Sequence, residues 1–272
     1  MNGLFGTLHI ILIVACVALI VGLFVLSKKI SFNTLCKILF IIGIVSELLK
    51  VFTYIVINEE KYGGVLPKTD LPFHLCSIQI IFIAIVNICK SEKLKRFILS
   101  FMLPSCLFGG IAAILIATSS SLNVWMITIQ YFAYHSAITV FALNLMTRKE
   151  LNLSIKDYFS CLKFLVIIMF FAIYINSVTS YTVYEMVDGV LVETVKSGNF
   201  MYVVSPPVDN LPYLNENQGW LMYIIKYAVL VIFAVTICYI KPIITAIKER
   251  KSSKKASIQD CCDLKEEEKI LK

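Results

Sequence analysis

Leu4 to Leu26 reads LFGTLHIILIVACVALIVGLFVL, a run without a single Asp, Glu, Lys or Arg. A bilayer core about 30 Å thick takes roughly 20 apolar residues in helical form, so this run is long enough to cross it. It lacks a basic region ahead of the apolar stretch and reads as a retained span, not a signal peptide. Runs of the same kind recur at about 35–57, 71–89, 97–117, 124–146, 158–180 and 220–240. The expectation is an all-α integral membrane protein: a seven-helix transmembrane domain over residues 1–240, an external loop at 181–219, and a charged tail over 241–272.

Composition points the same way. Of 272 residues 58% are apolar, and the mean hydropathy is +0.82, well beyond a soluble domain of ordinary composition. No polar stretch is long enough to build a second core. The nine cysteines do not form a disulfide framework, because seven lie in or beside apolar runs without zinc-type spacing. Cys261 and Cys262 fall in the tail.

The net charge of +7 resides mostly in loops and tail, which speaks for topology and against nucleic-acid binding. Lys28, Lys29 and Lys37, then Lys90, Lys93, Lys95 and Arg96, then Arg148, Lys149 and Lys156 lie on the side of the tail's nine basic residues. Opposite stand only Lys61, Lys68 and Lys196, an asymmetry of nineteen to three. The positive-inside rule then places the N-terminus outside and the tail in the cytoplasm. Two further features are expected. Ser105, Gly109 and Ala113 form a small-residue seam for a neighbouring helix, and Val183–Val195 forms a hairpin turning at Asp188-Gly189.

Ionisable groups inside a bilayer are expensive, so each is a functional candidate. His9, His74, Cys76, Gln79, Tyr131, His135, Asn176, Ser180, Tyr223 and Lys226 all fall from the outer end to the middle of their runs, as do Glu47 and Lys50. Together they suggest a polar chamber open to the outer leaflet. Cys76 is the sharpest member. On a continuous helix Gln79 shares its face, whereas His74 points about 160° away. His135 has a stripe of its own with Thr128, Tyr131 and Thr139, and a histidine facing a cysteine is the arrangement that yields a thiolate nucleophile. Rise arithmetic puts Cys76 about 8 Å and His135 about 16 Å below the starts of their spans, a mismatch in depth. The residues alone leave two alternatives open: packing roles for both, or a seven-span ligand-binding protein or small-solute transporter.

Leu71-Pro72-Phe73-His74-Leu75-Cys76-Ser77 resembles the Leu-Pro-Leu-His-Leu-Cys-Ser signature of the YwaF-like bacterial integral membrane proteins, which are similar to vertebrate transmembrane protein 164. The likeness extends over about residues 30–240. His135 follows on a later span, and Gly198-Asn199-Phe200-Met201-Tyr202 resembles a Gly-x-Asn-Tyr motif before the last one. Phe73 stands where that signature has Leu, and Phe200 where the motif has Tyr. The resemblance implies a lipid acyltransferase or transacylase of the bacterial cytoplasmic membrane, with Cys76 as nucleophile and acyl carrier and His135 as base. Membrane phospholipids and lysophospholipids would be its partners. His74, Gln79, Tyr131, Asn176 and Asn199 are assigned to binding or orientation by position alone. Such chemistry needs no metal and no soluble cofactor, and no nucleotide loop, zinc motif or aspartate-rich motif is present.

Overall fold

A computed structural model describes residues 5–117, 124–148, 151–187, 190–207, 213–214 and 219–253. In chain order the elements are α1 (Thr7–Ser27), α2 (Phe32–Phe52) running on through a π-turn (Thr53–Ile57), the short α3 (Glu59–Tyr62) and α4 (Leu75–Ile88). They continue with α5 (Glu92–Leu115), α6 (Trp125–Thr147), α7 (Ile155–Val178), strands β1 (Tyr181–Val187) and β2 (Val190–Lys196), and α8 (Trp220–Cys238). Side chains set several starts. Ser31 and Ser91 accept from the third N–H of α2 and α5, and Ser154 with Asp157 forms a capping box on α7. Gly63, at φ 62°, ends α3 in the left-handed conformation.

Six helices, α1, α2 with its π-turn, α5, α6, α7 and α8, are long and apolar enough to cross a membrane. The helix expected over 71–89 is shorter. It is the 14-residue α4, about 21 Å at 1.5 Å per residue, less than a bilayer core. Leu71 and His74 are extended, with ψ of 150° and 154°; for Leu71 the cause is the proline at 72, which biases the residue before it away from the helical region.

The missing length is made up by chain that folds back. Ser77 donates to Glu47 and Asn87 to the carbonyl of Cys36, so α4 runs antiparallel to α2. Lys50 donates to the carbonyl of Asp70, and Lys50 lies about 10 Å below the end of the π-turn at Ile57. The stretch before α4 therefore descends beside α2 as irregular backbone with one 3-10 turn at Lys68–Asp70. At such depth free peptide groups are costly and must be bonded within the protein. Lys50 and His74 supply two of those bonds, on Asp70 and Thr69.

Helices α5 and α6 form the centre. Met102, Leu103, Cys106 and Ala142 are fully buried, and Phe82, Phe101 and Phe164 stack around them. Peripheral helices instead turn aliphatic flanks outward, such as Val14, Val21 and Val25 on α1 and Phe170, Tyr174 and Val178 on α7. In water that surface would be unfavourable at about 25 cal/mol per Å²; in lipid it is not. Pro104, inside α5, cannot donate to the carbonyl of Ser100, and the buried Tyr239 hydroxyl donates to it instead.

The small-residue seam on α5 is displaced by one residue. Gly109 only approaches Leu75, at 3.5 Å from where a Cβ would be, whereas a Cβ on Gly110 would overlap the Thr139 hydroxyl and meet the His135 carbonyl at 3.0 Å. The close crossing is thus α5 on α6 through Gly110. Ser105 points to α4 through Gln79.

The chain is not entirely α-helical. Strands β1 and β2 pair antiparallel from Tyr181 opposite Lys196 to Val187 opposite Val190, as the hairpin expectation had it, while the Asp188-Gly189 turn lies outside the described residues. Beyond a turn at Tyr239 the chain is helical again over 240–253; Cys261, Cys262 and the Glu266–Glu268 run lie outside the described residues.

Candidate active site

Because the helix begins at Leu75, Cys76 occupies the first turn of α4 with His74 as its N-cap residue. His74 belongs to extended chain, not to a continuous helix that would turn it about 160° away from Cys76 as expected. Its Nε2 donates to the carbonyl of Thr69 at 2.9 Å, and its ring lies 5.1 Å from Phe200 and 5.9 Å from Tyr202. The first-turn N–H groups of a helix have no intrahelical partner and carry a partial positive charge. Next to Cys76, Ser77 directs its hydroxyl to the carboxylate of Glu47, which pairs with Lys50. The Glu47 carboxylate is 2.7 Å from the Lys50 ammonium, while the directed hydrogen bond of Lys50 goes to Asp70. This pair therefore neutralises itself and also clamps the descending chain and the head of α4.

The depth mismatch disappears for the same reason. The Tyr134 hydroxyl of α6 donates to the carbonyl of Cys76 at 2.9 Å, so the first turn of α4 lies within one tyrosine side chain of the turn of α6 that carries His135. His135 is 3% exposed, and its Nδ1 is 2.7 Å from the carbonyl of Tyr131. A carbonyl only accepts, so Nδ1 carries the proton in the neutral ring and Nε2 is left with a lone pair. No partner for that Nε2 is present among the described residues. The Tyr131 ring lies tilted against the same imidazole with centroids 4.2 Å apart, and its hydroxyl donates to the carbonyl of Ala113.

The remaining assigned residues are held by structural bonds. Gln79, buried, donates to Leu75 and Ser105 and accepts from the Cys106 thiol, tying α4 to α5. Asn176 donates to the carbonyls of Ala172 and Phe200 and accepts from the N–H of Phe200. Asn199, left-handed at φ 48°, bonds Ser205 and the N–H of Val204. These last two build a folded loop over 198–205, in which the Phe200 ring covers Gly198 so closely that a Cβ there would overlap it. His9, grouped by depth with the chamber, is elsewhere in function. Its ring accepts from the N–H of Phe5 and donates to the carbonyl of Ile114, pinning α1 to the end of α5. Thr128 and Thr139 return their hydroxyls to their own helix.

Sequence reading missed four participants: Tyr134, Ser77, the descending chain, and the two aromatic donors that flank Tyr223 on α8. Trp220, Tyr223 and Tyr227 donate to the carbonyls of Val203, Tyr202 and Met201. Their spacing of three and four is a helical stripe, a signal that was available. Two surface clefts lie away from Cys76. One is between Ile173, Val195, Val203 and Trp220, the other around Asn58 and Glu60. Among the described residues no cluster of histidine, cysteine or carboxylate could hold a metal ion.

The family model described as the TMEM164 family matches residues 4–239. This chain belongs to the TMEM164 family. No curated protein and no solved structure matches it. The match spans every element from α1 to α8, so membership covers the whole helical domain of this TMEM164-family chain, including α1, which the heptad resemblance had left out. It makes the chain a multi-pass membrane protein of that family.

Proposed function

We propose that this protein is a membrane-embedded phospholipid acyltransferase or transacylase that works through a thioester on Cys76. The observation that supports the reading is the bond from Tyr134 to the carbonyl of Cys76, which ties the helix turn that holds a thiol to the turn of α6 that holds an imidazole with no Nε2 partner among the described residues. His135 takes the thiol proton at Nε2, and the thiolate attacks the ester carbonyl of a phospholipid. The leaving lysophospholipid oxygen regains the proton from His135. In the second half-reaction an acceptor hydroxyl gives its proton to His135, attacks the thioester and releases the thiolate. Burial around the site excludes the bulk water that would otherwise hydrolyse the thioester. Tyr131 and Tyr134 hold the two reacting residues in register, and Gln79, Asn176 and Asn199 act as positioning residues through the elements they tie.

The topology that goes with this reading has the N-terminus and hairpin outside, the tail in the cytoplasm of a bacterial cell, and α4 with its descending chain as the seventh crossing. Its support is the nineteen-to-three basic asymmetry and the antiparallel run of α4 against α2. The test is intact-mass analysis of purified protein incubated with phospholipid. A hydroxylamine-labile acyl adduct is expected on the wild type and absent from Cys76→Ala. A wild type that never carries an adduct would hand the site to the ligand-binding reading.

A further inference from the structure

Three non-glycine residues in the loop after β2 are left-handed, Asn199 at φ 48°, Met201 at φ 57° and Tyr202 at φ 53°. Such backbone is strained and persists only where its surroundings over-determine it. Here they do. Tyr223, Tyr227 and Trp220 of α8 each donate to a loop carbonyl, Asn176 of α7 brackets Phe200, and the Asn199 side chain closes the turn onto Ser205. What this scaffold presents to α4 is a pair of rings. Phe200 sets its edge against Phe73 and His74, and Tyr202 lies 5.9 Å from His74.

The Tyr202 hydroxyl differs from those around it. Tyr131, Tyr134, Tyr223 and Tyr227 all donate to backbone carbonyls, whereas the Tyr202 hydroxyl has no hydrogen-bond partner among the described residues. Its ring lies 5.9 Å from that of His74, the N-cap residue of α4 and two residues before Cys76. The phenol therefore stands beside the head of α4, whose first turn carries the thiol.

We propose that the Tyr202 hydroxyl donates a hydrogen bond to the acyl oxygen at Cys76 and is a further catalytic residue of this protein, an inference that rests on the acyl-transfer reading. As the C–S bond forms, the carbonyl π pair moves to oxygen, and Tyr202 holds that oxyanion without giving up its proton. The pair then returns, the ester C–O bond breaks, and the departing oxygen takes its proton from the His135 imidazolium. A fixed donor aimed at charge that develops only in the transition state raises the rate without tightening substrate binding. Burial pushes the Tyr202 phenol up to about 12, so it keeps its proton at neutral pH and can serve as a donor throughout.

The experiment compares wild type with Tyr202→Phe, which keeps ring and backbone. The full-length protein is used in detergent with a fluorescent-acyl phosphatidylcholine as donor. Three quantities are read: the rate of hydroxylamine-labile adduct formation, the KM, and the rate at which iodoacetamide alkylates Cys76. Loss of one oxyanion donor should slow acylation by about 10² to 10³-fold, leaving KM and alkylation unchanged. Acylation within twofold of wild type overturns the assignment. So does a loss matched by an equal loss of alkylation, which would make Tyr202 a packing residue. If wild type forms no adduct at all, the acyl-transfer reading falls first and this assignment with it.

Discussion

The Tyr134 hydroxyl donates to the carbonyl of Cys76 at 2.9 Å, which ties the second residue of α4 to the tenth of α6. One bond thus fixes the relative height of the two helices that carry the thiol and the imidazole. A single intramolecular hydrogen bond contributes about 0.5–1.5 kcal/mol net. Tyr134→Phe should lower the stability of the detergent-solubilised protein by that amount while reducing acyl transfer by a larger factor, since misplacement of reacting groups is penalised steeply. Thermal unfolding and turnover measured side by side test this. Full activity would show that another contact sets the register.

Cys76 and His135 should behave as one unit. Cys76→Ala and His135→Ala are each expected to abolish transfer, and the double variant should be no worse than either, because residues acting in one step are not additive. Multiplicative losses would mean that the two act in separate steps. His74→Ala, whose imidazole is engaged with Thr69, should retain measurable turnover; complete loss there would move the base to His74.

Gly110 and Gly109 make a matched pair. Overlap of a new Cβ with Thr139 and the His135 backbone should make Gly110→Ala cost about 1–3 kcal/mol, the usual range for overpacking. Gly109→Ala meets only Leu75 at ordinary contact distance and should be tolerated. Equal melting temperatures for the two would refute the α5–α6 crossing through Gly110.

Asn176 holds both peptide groups of Phe200. Asn176→Ala leaves a buried N–H and a buried carbonyl unpaired, each costing about 1–3 kcal/mol. The variant should lose stability and become susceptible to protease between β2 and α8. A protein that resists cleavage there as wild type does would show that the α8 donors suffice.

Orientation can be read directly. A membrane-impermeant thiol reagent on intact cells should modify Glu193→Cys on the hairpin and leave Ser252→Cys, together with the native tail cysteines, unmodified until permeabilisation. The reverse pattern would invert the topology and turn the Cys76 site to the opposite leaflet.

What was legible in the sequence followed from local rules. Whether 20 consecutive residues such as Thr7–Ser27 enter lipid depends on their own transfer energies, so the long helices could be read from hydropathy. The hairpin, likewise, follows from β-favouring residues around a turn. Cys76 and His135 were also visible, as polar groups in apolar runs and through the heptad. Where the reading failed, local rules were overridden. A helix from 71 onward was the expectation from hydropathy, yet Pro72 breaks it and Lys50, 22 residues earlier, bonds the chain that replaces it.

Tertiary structure alone decided the register of α4 against α6, the shift of the close crossing from Gly109 to Gly110, and the commitment of Gln79, Asn176 and His9 to structural bonds. The physical reason is common to all three. A periodic pattern states which face a side chain is on, but not which backbone group from another helix will stand opposite it. In a bilayer that second fact governs polar residues, because every one of them must find its partner inside the protein.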